Sequence, residues 1–505
     1  MTALTFNSYL FLFAFLPVVI AGFYLLTRVT NKQAPALIWL IAASLFFYAV
    51  QGPGYLVILV ASVLGNFAIL WLLLRQDPNS AGRKWTLALG IVANLALLAT
   101  YKYTGFLAEN INTLLGTQLK PLPLVYPIGL SFYTFIQIGY LIDAHAGQAK
   151  RPTFLKYLLF GTFFPYVTAG PLVRSGEVVD PMDTPARERT GGQQLAVGAT
   201  MFAMGLFKKA VLADSVAPYA TSLFQFAGAH ENIGVANAWI GMLAYTLQLY
   251  FDFSGYTDMA LGIGLMLGFK LPVNFDTPLR ATSIIDFWRR WHITMTRWFT
   301  DYIYTPIAAN FMRRSVRKSW STALRVLAVL CLPAIVTFLL VGLWHGSGWG
   351  FVIWGGIQGA AMAVNLIWRE VKLRMPSILG WLLMMLVFVS SLTFFRAPTV
   401  DTALVVLRSM WFLGPAGNTP GQFFGTAKVF GAVTVVPSLL WVFGLMLIAV
   451  FFRNTQQMLG NGFGGISEKA AIWQPSMRWA VGTALVAATA LVFAGGASPF
   501  LYYRF

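Results

Sequence analysis

His345 stands in a stretch, residues 326–368, that holds no Asp, Glu, Lys or Arg. A histidine has an unperturbed pKa of about 6.5 and so suits the abstraction of a proton from a hydroxyl near neutral pH. The glycines at 342, 346, 348 and 350 permit a sharp break and close backbone approach around it. The competing reading is a histidine in a short interfacial loop, flanked by the belt tryptophans Trp344 and Trp349. A second concentration is Asp286-Phe287-Trp288-Arg289-Arg290-Trp291-His292. Helical spacing puts Trp288, Trp291 and His292 on one face, an aromatic surface edged by arginines that suits an anionic or thioester-linked donor. His145 and His230 lie in polar connections and read as surface residues.

Several chemistries are excluded. No Gly-x-Ser-x-Gly elbow and no Gly-x4-Gly-Lys-Ser/Thr phosphate loop occurs. Gly262-Ile263-Gly264-Leu265-Met266-Leu267-Gly268 misses the dinucleotide spacing and reads as helix packing. Neither His292 nor His345 has a companion at metal-ligand spacing, so no metal is expected. Cys331 is the sole cysteine, which rules out an internal disulfide and marks it as a packing residue.

The elements that must position these residues are membrane helices. Hydrophobic residues make up 58% of 505 and charged residues 10%, against about 25% charged in soluble domains. Mean hydropathy is +0.68. A globule of this length cannot bury so much apolar surface, so lipid must solvate part of it. The net charge of +18 falls in short gaps between apolar runs, as the positive-inside rule requires, and is not read as a nucleic-acid footprint. No basic residue precedes Arg28, so the opening run reads as a retained span with the amino terminus outside. The uncharged run 33–74 needs a break, supplied by Gln51-Gly52-Pro53-Gly54. The run 326–368 breaks at its glycine cluster. Further spans are read near 85–101, 124–142, 155–173, 191–213, 236–251, 377–395, 431–452 and 479–496, roughly ten to twelve crossings in all. Basic loops at 369–374 and 453–478 place the carboxyl terminus outside as well. No linker or repeat divides the chain, which reads as one membrane domain over 1–505 with a motif-bearing core at about 120–370.

Residues 252–325 depart from this pattern. Five acidic residues (Asp252, Asp258, Asp276, Asp286 and Asp301) and ten basic ones are interleaved there with aromatics. The segment reads as amphipathic or re-entrant helix on the cytoplasmic face, or, for most of its residues, as a positive-inside loop with an aromatic belt.

The sequence resembles the membrane-bound O-acyltransferase (MBOAT) family, and within it the bacterial branch that O-acetylates extracellular polysaccharides such as alginate. The resemblance runs over nearly the whole chain. It is carried by Phe11-Leu12-Phe13-Ala14-Phe15-Leu16-Pro17, Pro127-Ile128-Gly129-Leu130-Ser131-Phe132-Tyr133, Phe164-Pro165-Tyr166-Val167-Thr168-Ala169-Gly170-Pro171 and Tyr250-Phe251-Asp252-Phe253-Ser254-Gly255-Tyr256-Thr257-Asp258. It continues through Asn274-Phe275-Asp276-Thr277-Pro278, Phe287-Trp288-Arg289-Arg290-Trp291-His292 and Gly342-Leu343-Trp344-His345-Gly346.

The resemblance implies an all-α ring of tilted helices around a thinned centre, with a tunnel between cytoplasm and exterior. His345 matches the family's catalytic histidine and His292 its second active-site position. Trp288, Arg289, Trp291, Trp344 and Asp286 are the donor-binding candidates. The implied enzyme binds no cofactor, takes an acyl group from acetyl-CoA or an acyl-carrier-protein thioester, and acetylates an extracellular polysaccharide across the bacterial inner membrane. Its implied partners are a polysaccharide biosynthesis complex and an exported acyl-accepting protein with a serine nucleophile, which the aromatic tail Ser498-Pro499-Phe500-Leu501-Tyr502-Tyr503-Arg504-Phe505 could dock. The alternative for that tail is interfacial anchoring of the last span. The unexpanded connection from Met410 to Val429 departs from the alginate type. Acyl transfer to teichoic acid, peptidoglycan, lipid or protein stays open as an alternative. So does a non-catalytic channel for an envelope polymer or lipid.

Overall fold

The computed structural model describes residues 4–30, 32–411, 428–429, 432–433, 438–460, 473–495, 498 and 500–501. Among these, nine helices are long and apolar enough to cross a membrane. They are Phe11–Val29, Ala34–Gln51, Pro53–Leu73, Ala81–Lys102, Gly192–Gly228, Thr322–His345, Trp349–Glu370, Ser377–Arg396 and Met477–Ala494. The only strand pairing among the described residues is a two-residue antiparallel bridge, Lys428↔Val433 and Val429↔Ala432.

Both breaks expected in the uncharged runs are present. The first separates Ala34–Gln51 from Pro53–Leu73, whose proline takes a first-turn position where no backbone donor is needed. The second separates Leu332–His345 from Trp349–Glu370. Hydroxyl caps close several amino-terminal ends: Ser80 accepts from the Arg83 amide and Thr399 from the Thr402 amide.

Two expected spans differ from the sequence reading. Lys120-Pro121-Leu122-Pro123 keeps the chain extended, and the helix starts only at Leu130, ending at His145. The expected span at 155–173 is a helix only over Phe154–Thr162. Pro165 interrupts it, and the following Tyr166, Val167, Thr168 and Gly170 are non-helical and buried. Irregular backbone in an apolar protein is tolerable where protein covers it, as here.

The chain forms two compact units. One comprises Met1–Phe207, Gly255–Val273 and Thr455–Arg504. Phe6, Phe11, Phe47 and Phe164 form its aromatic core, with Tyr256 stacked on Phe6 at 4.8 Å. Asn66 and Asn94 exchange amide hydrogen bonds of 3.1 and 2.6 Å between Pro53–Leu73 and Ala81–Lys102. Such pairs join helices that have no hydrophobic drive to associate in lipid. Asp258, read from sequence as part of an amphipathic segment, is fully buried on the helix Val235–Met266 and accepts from Thr455 and Gln456. Phe500 and Leu501 of the tail are also buried here, Phe500 stacking on Tyr256 at 4.3 Å. They belong to the interior, which leaves docking by the tail to residues 502–505; these lie outside the described residues, as do 412–427 of the connection after Met410.

The other unit comprises Lys208–Ser254 and Asn274–Asn454. It carries both candidate histidines. Asp252 is buried here as well, against Lys209 at 2.6 Å, and Asp214 lies 3.0 Å from the same ammonium. This cluster places Asp252 in the protein interior, not on a solvated amphipathic face. Its charge is made tolerable by a cation at contact distance, not by water.

Candidate active site

His345 ends the helix Leu332–His345, which packs antiparallel on Trp349–Glu370. Two glycines set that contact. A Cβ on Gly342 would lie 2.3 Å from the Phe351 carbonyl oxygen, and one on Gly355 would lie 2.4 Å from that of Phe338. The backbones thus touch, as small residues allow between membrane helices. The close pairing delivers His345 into an aromatic enclosure. Trp344, Trp354 and Phe395 present rings 4.8, 5.3 and 5.0 Å from the imidazole, which is only 6% exposed.

His292 arrives from a different local structure. The helix Ile284–Arg290, capped by the Ser283 hydroxyl, stops two residues earlier, and Ile293–Phe299 starts directly after it. His292 bridges them in a left-handed conformation (φ 45°, ψ 51°), which costs a non-glycine residue roughly 1–2 kcal/mol. The helical register expected from sequence therefore ends before His292. Trp288 and His292 instead diverge, and Trp291 packs among Phe275, Phe287 and Phe388 at 5.2, 5.6 and 5.4 Å. The segment around Asn274 holds the break: the Ile293 amide donates to the Asn274 carbonyl, and the Asp276 amide to that of Arg290. His292 is 1% exposed, with Phe253 edge-on at 4.7 Å. Burial pushes its imidazole below the ordinary value, to about 3, so it is neutral at physiological pH.

The two histidines share one neighbour. Trp344 lies 5.8 Å from His292 and 4.8 Å from His345, ring centre to ring centre. Trp344, a donor-binding candidate from sequence, packs against both imidazoles. Trp288 is buried, donates its indole N–H to Gln358 at 3.1 Å, and packs on Phe338 and Trp354. Gln358 passes the network on to Ser391 at 2.8 Å.

A cavity of about 260 Å³ adjoins Trp288, with Arg289, Phe299, Phe338, Val341 and Arg369 also in its lining but not His292, His345 or Trp344. Phe338 and Val341 are seven and four residues before His345, on the helix face that leads to it. Arg289 and Arg369 are exposed and make no salt bridge to a carboxylate among the described residues. Arg290, next in sequence, is neutralised: it lies 2.9 Å from Asp286 and 3.7 Å from Asp276. Asp286 thus fastens its own helix, while Arg289 contributes to the cavity lining a guanidinium uncompensated among the described residues.

Three buried groups escaped sequence reading. Lys209 lies within the span read near 191–213, where an ionisable residue in an apolar run is itself a signal. Gln358 is a neutral amide with no sequence signal beyond its type, and Asn274, though it opens a segment that carries the family resemblance, is not singled out by it. Of the other histidines, His230 is exposed beside Asp401, and His145 is half-buried at a helix end.

The MBOAT, membrane-bound O-acyltransferase family, matches residues 89–388, more than half the chain. A peptidoglycan O-acetyltransferase of Helicobacter pylori is 37% identical over 436 residues, 81% of this chain and 80% of that protein. The chain belongs to the membrane-bound O-acyltransferase family. A probable alginate O-acetylase AlgI of Pseudomonas putida is 32% identical and covers 99% of this chain and 100% of its own length. A teichoic acid D-alanyltransferase of Streptococcus thermophilus is 30% identical over 263 residues, 52% of this chain and 60% of that protein. The matched region holds both histidines and every residue lining the cavity. This acyltransferase is an all-α polytopic integral membrane enzyme, which sets the channel reading aside.

Proposed function

We propose that the enzyme transfers an acetyl group from a cytoplasmic thioester to a hydroxyl of an extracellular polysaccharide, with His345 as general base. The observation that carries this reading is the packing of two buried imidazoles on one indole, near a cavity whose lining includes Arg289 and Arg369. The acceptor oxygen attacks the thioester carbonyl carbon while His345 takes the hydroxyl proton. The C–S bond breaks, the thiolate takes that proton from the imidazolium, and an ester remains. The apolar cavity suits an acyl-pantetheine arm and the arginines its phosphates, whether carried by coenzyme A or a carrier protein. No bound cofactor or metal is needed. His292 stays neutral and supports the site as a second hydrogen-bonding imidazole. The first acceptor is the serine of an exported partner within the polysaccharide biosynthesis complex, which hands the acetyl on to the polymer. The setting is the bacterial inner membrane, with both termini outside.

Membrane vesicles from cells lacking the native chain, given the full-length protein and labelled acetyl-CoA, provide the test. His345→Ala should insert normally and lower polymer labelling by about 10² to 10⁴. Near-native labelling would sink the assignment. A second acceptor, peptidoglycan, is favoured by the 37% identity to a peptidoglycan O-acetyltransferase; digesting the labelled product with a muramidase or a polysaccharide lyase separates the two.

A further inference from the structure

We infer that Asn274 is a positioning residue that fixes the tautomer of His292, holding its Nδ1 protonated and presenting a proton-free Nε2; this rests on the reading that His292 takes part in transfer. Asn274 is fully buried. Its Oδ1 accepts from the Thr294 amide at 3.2 Å and the Thr294 hydroxyl at 2.6 Å. A backbone N–H can only donate, so the side-chain atom facing Thr294 is the oxygen and the amide cannot be flipped. The same Oδ1 lies 3.4 Å from His292 Nδ1. Two acceptors facing each other would repel, so Nδ1 carries the proton. A neutral imidazole has only one, which leaves Nε2 as the acceptor.

The other end of the amide shows why an asparagine stands here. Asn274 Nδ2 is buried with no hydrogen-bond partner among the described residues, a loss of about 1–3 kcal/mol. An aspartate would satisfy the same three donors without an orphaned N–H. It would also set a carboxylate beside His292 and favour the imidazolium. The amide gives up stability and keeps the acceptor neutral. The surrounding charges are accounted for: Asp252, next to Phe253, is held by Lys209, and Asp276 and Asp286 by Arg290. Arg297 lies on the following helix, and His345 packs on Trp344. None of these matches the placement of the Asn274 oxygen.

The discriminating variant is therefore Asn274→Asp, assayed for polymer labelling from acetyl-CoA in the same vesicles over pH 5 to 9, beside Asn274→Ala and His292→Ala. Asn274→Asp should raise the imidazole pKa by up to about three units, costing about tenfold at pH 5, and recover to near-native activity above pH 7. Asn274→Ala should lower kcat by about 10²-fold with KM for acetyl-CoA unchanged. If His292→Ala is inactive while Asn274→Asp keeps both the native rate and the native pH profile, Asn274 merely fastens the loop and the inference falls. Native activity in His292→Ala overturns the underlying reading, and the inference with it.

Discussion

At the scale of single residues, the difference between Arg289 and Arg290 decides what each does. Asp286 and Asp276 neutralise Arg290, while Arg289 meets no carboxylate among the described residues and shares a cavity lining with Arg369. Replacing both Arg289 and Arg369 by Gln should raise KM for acetyl-CoA about tenfold and leave kcat nearly unchanged, because phosphates remote from the reacting carbon are bound equally in ground and transition states. The native enzyme should also lose donor affinity with salt, and the double variant should not. Steady-state kinetics at two ionic strengths checks both; a fall in kcat at constant KM would place the arginines at the chemistry instead. The histidines were legible in the sequence because ionisable residues in apolar surroundings stand out. Asn274 was not, because Asn274-Phe275-Asp276-Thr277-Pro278 has the composition of any turn, and only coordinates show which donors its oxygen meets.

Helix packing explains how the site is held. The Gly342 and Gly355 contacts bring two backbones together within the reach of one missing methyl each. Gly355→Ala should lower the detergent-solubilised unfolding temperature, since a carbonyl oxygen on a helix cannot move aside and overpacking costs about 1–3 kcal/mol. Gly356→Ala is the control. Its added carbon would meet only Leu339 Cδ2, at 3.7 Å, so it should be neutral or slightly stabilising through helix propensity. Equal effects at both positions would mean that close approach is not what the glycines supply. The breaks at 52 and 346 were readable from Gly and Pro in runs too long for one span. The early stop at Arg290 was not, since the residues from Ile284 to Phe299 include no proline or glycine, and tertiary hydrogen bonds from the Asn274 segment end the helix.

For the whole molecule, charge bias is the available guide to orientation. Basic residues at 28–32, 75–84, 313–325, 369–374 and 453–478 predict that both ends lie outside the cytoplasm. Alkaline phosphatase fused at either end should be active and green fluorescent protein dark; fluorescence from a fusion after Phe505 would reverse the topology. Apolar composition made the all-α membrane class legible at once. Span counting was less secure, because buried irregular backbone such as 163–170 is as apolar as a helix and differs only in its hydrogen bonding.

A protein that houses two proton-binding rings in a membrane risks discharging the gradient across it. Trp344 bears on that risk. Its indole packs against both rings, 5.8 Å from His292 and 4.8 Å from His345 between ring centres, and an aromatic face in contact with both gives water little to bind there. Truncation to Ala opens a void lined partly by polar groups, which water can enter. Liposomes containing the native enzyme should hold an imposed pH difference as long as empty ones do, read by an entrapped dye, while Trp344→Ala should dissipate it faster. If the variant is equally tight, insulation comes from some other part of the protein, and Trp344 serves only the chemistry.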